Sequence, residues 1–131
     1  MGQPLNDIEA FLLGIPGLVE TGWLLYKARV PDTPDQVIVI NETPFLGPAP
    51  DTYGPNNAQM QFQVRIRASA LEYEIAREKW QECWTALHNA SFTLGGRAYI
   101  YTMATNDAPI GWYDVKQRPN LTCEFRVMMR R

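Results

Sequence analysis

The chain has 131 residues, 46% of them apolar and 20% charged, with a net charge of −2. These are the values of an ordinary globular chain of one domain, long enough to bury a core, and they point away from both disorder and a membrane protein. The longest apolar run, GWLLY, is far too short to span a bilayer.

The opening MGQPLNDIEAFLLGIPGLVETG carries Asp7 and Glu9 where a signal peptide would be basic, which predicts a cytoplasmic chain. A short helix is expected first, with Asn6 or Asp7 as N-cap before IEAFLL and Gly14 as its stop. Ile8, Phe11 and Leu12 would share one side of it. WLLYKARVP, residues 23–31, reads as a strand, and QVIVINET, residues 36–43, as a second one rich in β-branched residues. The intervening PDTPD is too short for a crossover helix, so an antiparallel pairing is expected.

PFLGPAPDTYGPNN, residues 44–57, holds four prolines and two glycines in fourteen residues, a composition that no helix or central strand accepts. It is a long loop of the kind that often binds partners. QMQFQVRIRA follows, alternating without error: Gln59, Gln61, Gln63, Arg65 and Arg67 on one face, Met60, Phe62, Val64, Ile66 and Ala68 on the other. SALE then suggests a capping box of Ser69 and Glu72, opening a helix to about Asn89. Leu71, Ile75, Ala76, Trp80, Cys83, Trp84 and Leu87 would form its apolar stripe. SFTLGGRAYIYTMA is a hairpin turned at Gly95-Gly96. TNDAPIGWYDVKQRPN, residues 105–120, is a second long loop. The last strand, LTCEFRVMM, places Leu121, Cys123, Phe125, Val127 and Met129 on one side and Thr122, Glu124, Arg126 and Met128 on the other. The expected architecture is α+β: a mainly antiparallel sheet with one long and one short helix packed on one face.

Catalytic chemistry finds little support. His88 is the one histidine, near a helix end, and there is no GxSxG, GxGxxG, Walker A or HExxH motif. Asp32 and Asp35 sit in PDTPD, where aspartate and proline are what a turn requires. Cys83 and Cys123 suit neither a disulfide framework nor a zinc site and read as core residues. Arg65, Arg67, Arg126, Arg130 and Arg131 would make a basic patch on adjacent strands, but the chain is acidic overall and no nucleic-acid module appears. No cofactor is expected. Charge is unevenly distributed: through Met60 seven acids oppose two bases, a net of −5, whereas from Gln61 onward ten bases oppose seven acids, a net of +3. Such a split can draw one end of a subunit to the other end of a neighbour.

The order of these pieces is familiar. A short N-terminal helix, PDTPDQVIVINETP, the Pro/Gly-rich loop and the strand-then-helix stretch QFQVRIRASALEYEIAREKWQECWTAL together resemble the minor capsid and tail-terminator proteins of long-tailed bacteriophages, over roughly Ile8 to Val127. The chain departs from that pattern at TPFLGPAP, where a glycine pair often follows the acidic ET. The resemblance implies a small α+β subunit of a virion, assembled in the host cytoplasm into a ring, usually hexameric. Such a ring caps the tail tube, meets a head-side connector or stopper protein, and lets DNA pass without reading it. A neck-completion protein bound on the connector side is the alternative. No reaction and no membrane is implied.

On either reading, the Gln59, Gln61, Gln63, Arg65 and Arg67 face can meet a neighbouring subunit, line the channel, or face water. Amides suit subunit hydrogen bonds better than a DNA track, so the neighbour is preferred, with Asp32, Asp35 and Glu42 as its acids. The loops supply candidate partner contacts at Phe45, Leu46, Tyr53, Trp112, Tyr113, Lys116 and Arg118; their aromatic residues either anchor a partner or tuck back onto the domain.

Overall fold

A computed structural model of the chain describes residues 4–43 and 57–130. Helix α1 spans Pro4–Leu13, followed by β1 (Leu24–Lys27), β2 (Val37–Thr43), β3 (Asn57–Arg67), α2 (Tyr73–Leu87), β4 (Phe92–Leu94), β5 (Arg97–Ala104), β6 (Ile110–Tyr113) and β7 (Pro119–Arg130). The strands form one sheet in the order β1-β2-β3-β7-β5-β4, and β6 also pairs with β7. Every pairing but one is antiparallel. The fold is thus α+β, with both helices on one face of a mostly antiparallel sheet.

The alternation read from the sequence decides which face the helices cover. Phe62, Val64 and Ile66 of β3 and Leu121, Cys123, Phe125 and Val127 of β7 are buried against Ile8 and Leu12 of α1 and Ala76, Trp80, Cys83 and Leu87 of α2. Phe62 stacks on Phe125 across the strands, with centroids 5.4 Å apart. Trp80 is 1% exposed and donates its indole N–H to the Thr122 carbonyl at 3.0 Å, so its one polar atom is satisfied inside the core. Each buried side chain of this size contributes about 1.5–3 kcal/mol. Both cysteines are buried and unpaired, and burial pushes each thiol up to about 12.

Four local expectations are corrected. Helix α1 begins at Pro4, so Asp7 is an interior residue rather than a cap; it is buried and accepts the phenol hydroxyl of Tyr99. Strand β1 is shorter than expected and runs parallel to β2, with Leu24 opposite Val37 and Lys27 opposite Ile40. Ala28 turns the chain at φ 60° and residues 28–36 carry it back without a helix. Helix α2 starts at Tyr73, with no side-chain cap at Glu72. The Leu71 N–H instead bonds to the Gln117 carbonyl and the Glu72 N–H to the Ser69 carbonyl, so the backbone turns before the helix begins. Leu71 and Ile75 consequently stand exposed, and Lys79 is buried in the stripe. Finally, the second long loop contains β6.

The hairpin follows expectation. Gly95 and Gly96 form its two-residue turn at φ 61° and 74°, both positive as a type I′ turn requires. Gly95 is demanded twice over, because a Cβ there would lie 2.5 Å from Oδ1 of Asp7.

Candidate functional site

The face of the sheet turned away from the helices is polar over β3 and most of β7. Register puts Thr43, Gln61 and Arg126 in one row, then Asn41, Gln63 and Glu124, then Val39, Arg65 and Thr122, then Val37, Arg67 and Asn120. Glu124 collects three donors: Thr43 Oγ1 and Gln61 Nε2 on Oε2, and Gln63 Nε2 on Oε1, each at 3.0 Å. Arg65 donates Nε and Nη2 to Asn120 Oδ1 at 2.9 and 2.7 Å, and its guanidinium lies 5.0 Å from the centre of the Trp112 ring. These contacts bind four strands, β2, β3, β6 and β7, into one polar layer within the chain.

At the end of the sheet where β2 begins, the layer becomes a charged knot. Arg67, 2% exposed, donates Nε to the Asp35 carbonyl at 2.9 Å and Nη2 to the Pro34 carbonyl at 2.8 Å. Arg118 reaches Asp114 at 2.9 Å, the Asp32 carbonyl at 2.7 Å and the Asp35 carboxylate at 3.2 Å. Lys116 meets the Asp32 carboxylate at 2.6 Å. Burial lowers the pKa of Arg67. For Arg118, burial works against the charge, but the Asp114 and Asp35 carboxylates outweigh it and raise the pKa. Burial alone would raise Asp114, yet the backbone N–H and guanidinium of Arg118 hold it below its ordinary value. The Lys116 ammonium, by hydrogen bond and charge, does the same for Asp32.

The structure therefore brings together residues that the sequence kept apart. Asp32 and Asp35 meet Arg67, Lys116 and Arg118 of their own chain. Gln61, Gln63, Arg65 and Arg67 have donors engaged inside the subunit, and Gln59 lies on the same face opposite Met128. Glu42 is exposed at the rim, in register with Phe62. Trp112 packs with Arg65, whereas Tyr113 is half exposed. Phe45, Leu46 and Tyr53 lie outside the described residues. Sequence reasoning missed Glu124 and Asn120 as the hubs of the layer. Glu124 was legible as an outward residue of the last strand, but only the β3–β7 register shows which donors it serves.

The layer has an apolar margin created by a β-bulge. Tyr99 opposes Met129 while Tyr101 opposes Met128, so the extra residue, Ile100, reverses the phase of β5. Tyr99 enters the core, and Tyr101 and Met103, exposed at 37% and 44%, join Met128, Arg126 and Arg130 on the open face. A second exposed group lies near the charged knot, where Leu71, Tyr73, Tyr113 and the 96% exposed Val115 stand. Among the described residues, no group of three or more His, Cys, Asp or Glu could hold a metal ion. No described helix is long and apolar enough to cross a membrane.

A solved chain from the virion of a native gene transfer agent particle is similar to this one, with a TM-score of 0.71 at 16% sequence identity, over 96% of this chain and 93% of that one. At that identity the likeness speaks for the fold. No curated protein matches the sequence. The bacteriophage tail terminator protein family matches residues 12–115, most of the chain, including the first long loop, the greater part of the second and all of α2. The chain belongs to the bacteriophage tail terminator family.

Proposed function

We propose that the protein is a structural subunit of a phage virion that assembles as a closed ring of six at the head-proximal end of the tail tube. There it stops tube growth and offers a docking surface to a head-side connector or stopper protein, while DNA passes through the central channel unread. It works without cofactor or reaction and is assembled in the host cytoplasm. The observation that carries this reading is the family match over residues 12–115.

The form of the subunit supports it. A ring requires two unlike surfaces that complement each other. Here a helix layer lies on one side of the sheet and an amide- and arginine-bearing face on the other. The contact loops also leave opposite ends of the sheet: Tyr113 pairs beside Pro119, whereas Thr43 and Asn57, which flank the segment bearing Phe45, Leu46 and Tyr53, lie at the far end. Two ends can serve two axial partners, the tube on one side and the connector on the other. Trp112, Tyr113 and Lys116 are the contacts at the first end; Arg118 is buried and holds their loop in place.

Electron microscopy of the purified protein, alone and mixed with tail tubes, tests the reading. Rings in solution or at one tip of each tube are expected. A monomer in both settings would overturn it, and capture by the connector with no affinity for tubes would replace it with the neck-completion reading.

A further inference from the structure

The outer surface of the helix layer carries a groove of about 560 Å³ between the turn after α1 and α2. Its floor is apolar, from Ile15, Leu18 and Ala86, and its helical wall presents Glu78, Glu82 and Thr85. The groove is built, not incidental. Lys79, 2% exposed, reaches out of α2 to the Leu18 carbonyl at 2.8 Å and to Glu20 at 3.3 Å, fixing the turn against the helix. On the opposite side of the sheet, the bulge in β5 gathers the exposed Tyr101, Met103, Arg126 and Arg130 around the half-buried Met128. Methionine, arginine and aromatic side chains are the residues enriched in protein interfaces, and a row of phosphates has no use for Met103 or Met128.

We propose that these two surfaces meet: the Arg126–Met128–Arg130 patch of one subunit seats in the Glu78/Glu82 groove of a second copy of this chain. The apolar centre of each is matched to the apolar centre of the other, with arginines against carboxylates at the edge. Because the surfaces lie on opposite sides of one sheet, the contact is heterologous, and repeating it gives a ring where the rotation between neighbours closes, without using up either surface on a two-fold dimer. This contact rests on the ring reading and adds to it which faces touch. It also leaves the Gln61, Gln63, Arg65 and Arg67 contacts as they are, inside the subunit.

Two variants test it. Glu78→Arg with Thr85→Arg makes the groove basic and spares Lys79 and its partners; Arg126→Glu with Arg130→Glu makes the patch acidic. Each variant alone is expected to lose the ring and sediment as a monomer that still unfolds cooperatively on heating. Mixed in equal amounts, the two have complementary surfaces at both junctions, so even-membered rings of alternating subunits are expected to return. A chain carrying all four substitutions should form rings by itself. Normal rings from either variant alone, or a mixture of folded variants that stays monomeric, would sink the proposed contact while leaving the ring intact. Loss of DNA retention with rings unaffected in Arg126→Glu/Arg130→Glu would assign the patch to the channel instead. Absence of rings from the unaltered protein, alone and on tubes, would overturn the ring reading and this contact together.

Discussion

Tyr99 and Asp7 come from the two ends of the chain and meet in its interior. The phenol is 1% exposed and donates to a carboxylate that is 8% exposed, at a place where Gly95 leaves just enough room. Burial first, and the Asp7 hydrogen bond second, push the Tyr99 phenol up to about 12 from its ordinary 10. A raised folded pKa contributes stability that is fully present below the unfolded value. Above that value the unfolded chain releases its proton first, so stability is lost as pH climbs toward the folded value. Urea unfolding at rising pH should therefore show a decline between 10 and about 12 to which this pair contributes. Tyr99→Phe should remove that contribution and, by leaving a buried carboxylate without its donor, cost about 1–3 kcal/mol at neutral pH. A substitution without effect would mean that the carboxylate finds another donor. Neither residue announced this role in the sequence, since Asp7 reads as an N-cap and Tyr99 as one of several strand aromatics.

Among the elements, β1 departs furthest from what local pattern suggests. PDTPD between two strand-like runs reads as an antiparallel connection; β1 ends at Lys27 instead, and residues 28–36 make a parallel connection held by arginines distant in sequence. Arg67 and Arg118 together grip the carbonyls of Asp32, Pro34 and Asp35, doing for this segment what a ladder of backbone bonds would otherwise do. Arg67→Met should cost about 2 kcal/mol by removing the charge-assisted hydrogen bonds from the buried guanidinium to the Pro34 and Asp35 carbonyls. Hydrogen exchange should locate the loss: faster exchange in Leu24–Lys27, with the β5–β7 ladder unchanged. Equal protection throughout would show that the clasp is dispensable. Helix α2 teaches a similar lesson. Ser69 and Glu72 have the spacing of a capping box, but the Gln117 carbonyl captures the Leu71 N–H and the chain enters the helix one turn later. By contrast, the strand Asn57–Arg67 and the Gly95-Gly96 hairpin were legible, because alternation and a two-glycine turn depend on near neighbours alone.

At the scale of the whole molecule, the sheet has one face covered by the two helices and one open face. In the proposed ring, arginines meet glutamates at the rim of the contact, so assembly is expected to weaken as salt screens them, the Debye length falling from about 10 Å at 0.1 M to about 3 Å at 1 M. Two exposed pairs of under 1 kcal/mol each amount to roughly a tenfold weaker association over that range. Sedimentation of the ring at increasing sodium chloride would show it; a ring that tightens with salt would mean that its closure is essentially apolar.

The fold class, the buried face of each long strand and the hairpin were legible from periodicity, turn chemistry and the order of elements, and the family from its resemblance over QFQVRIRASALEYEIAREKWQECWTAL. The sequence by itself also marked out Gln59 to Arg67 as one polar face, but could not say what that face meets. That depended on register and on long-range contacts. Only when β7 is laid beside β3 does Glu124 become the acceptor for Gln61 and Gln63, and only when residues 28–36 fold back does Arg67 find its carbonyls. A one-residue bulge at Ile100 then chose which tyrosine enters the core and which joins the open face, a choice that no local pattern encodes because it is made by the partner strand.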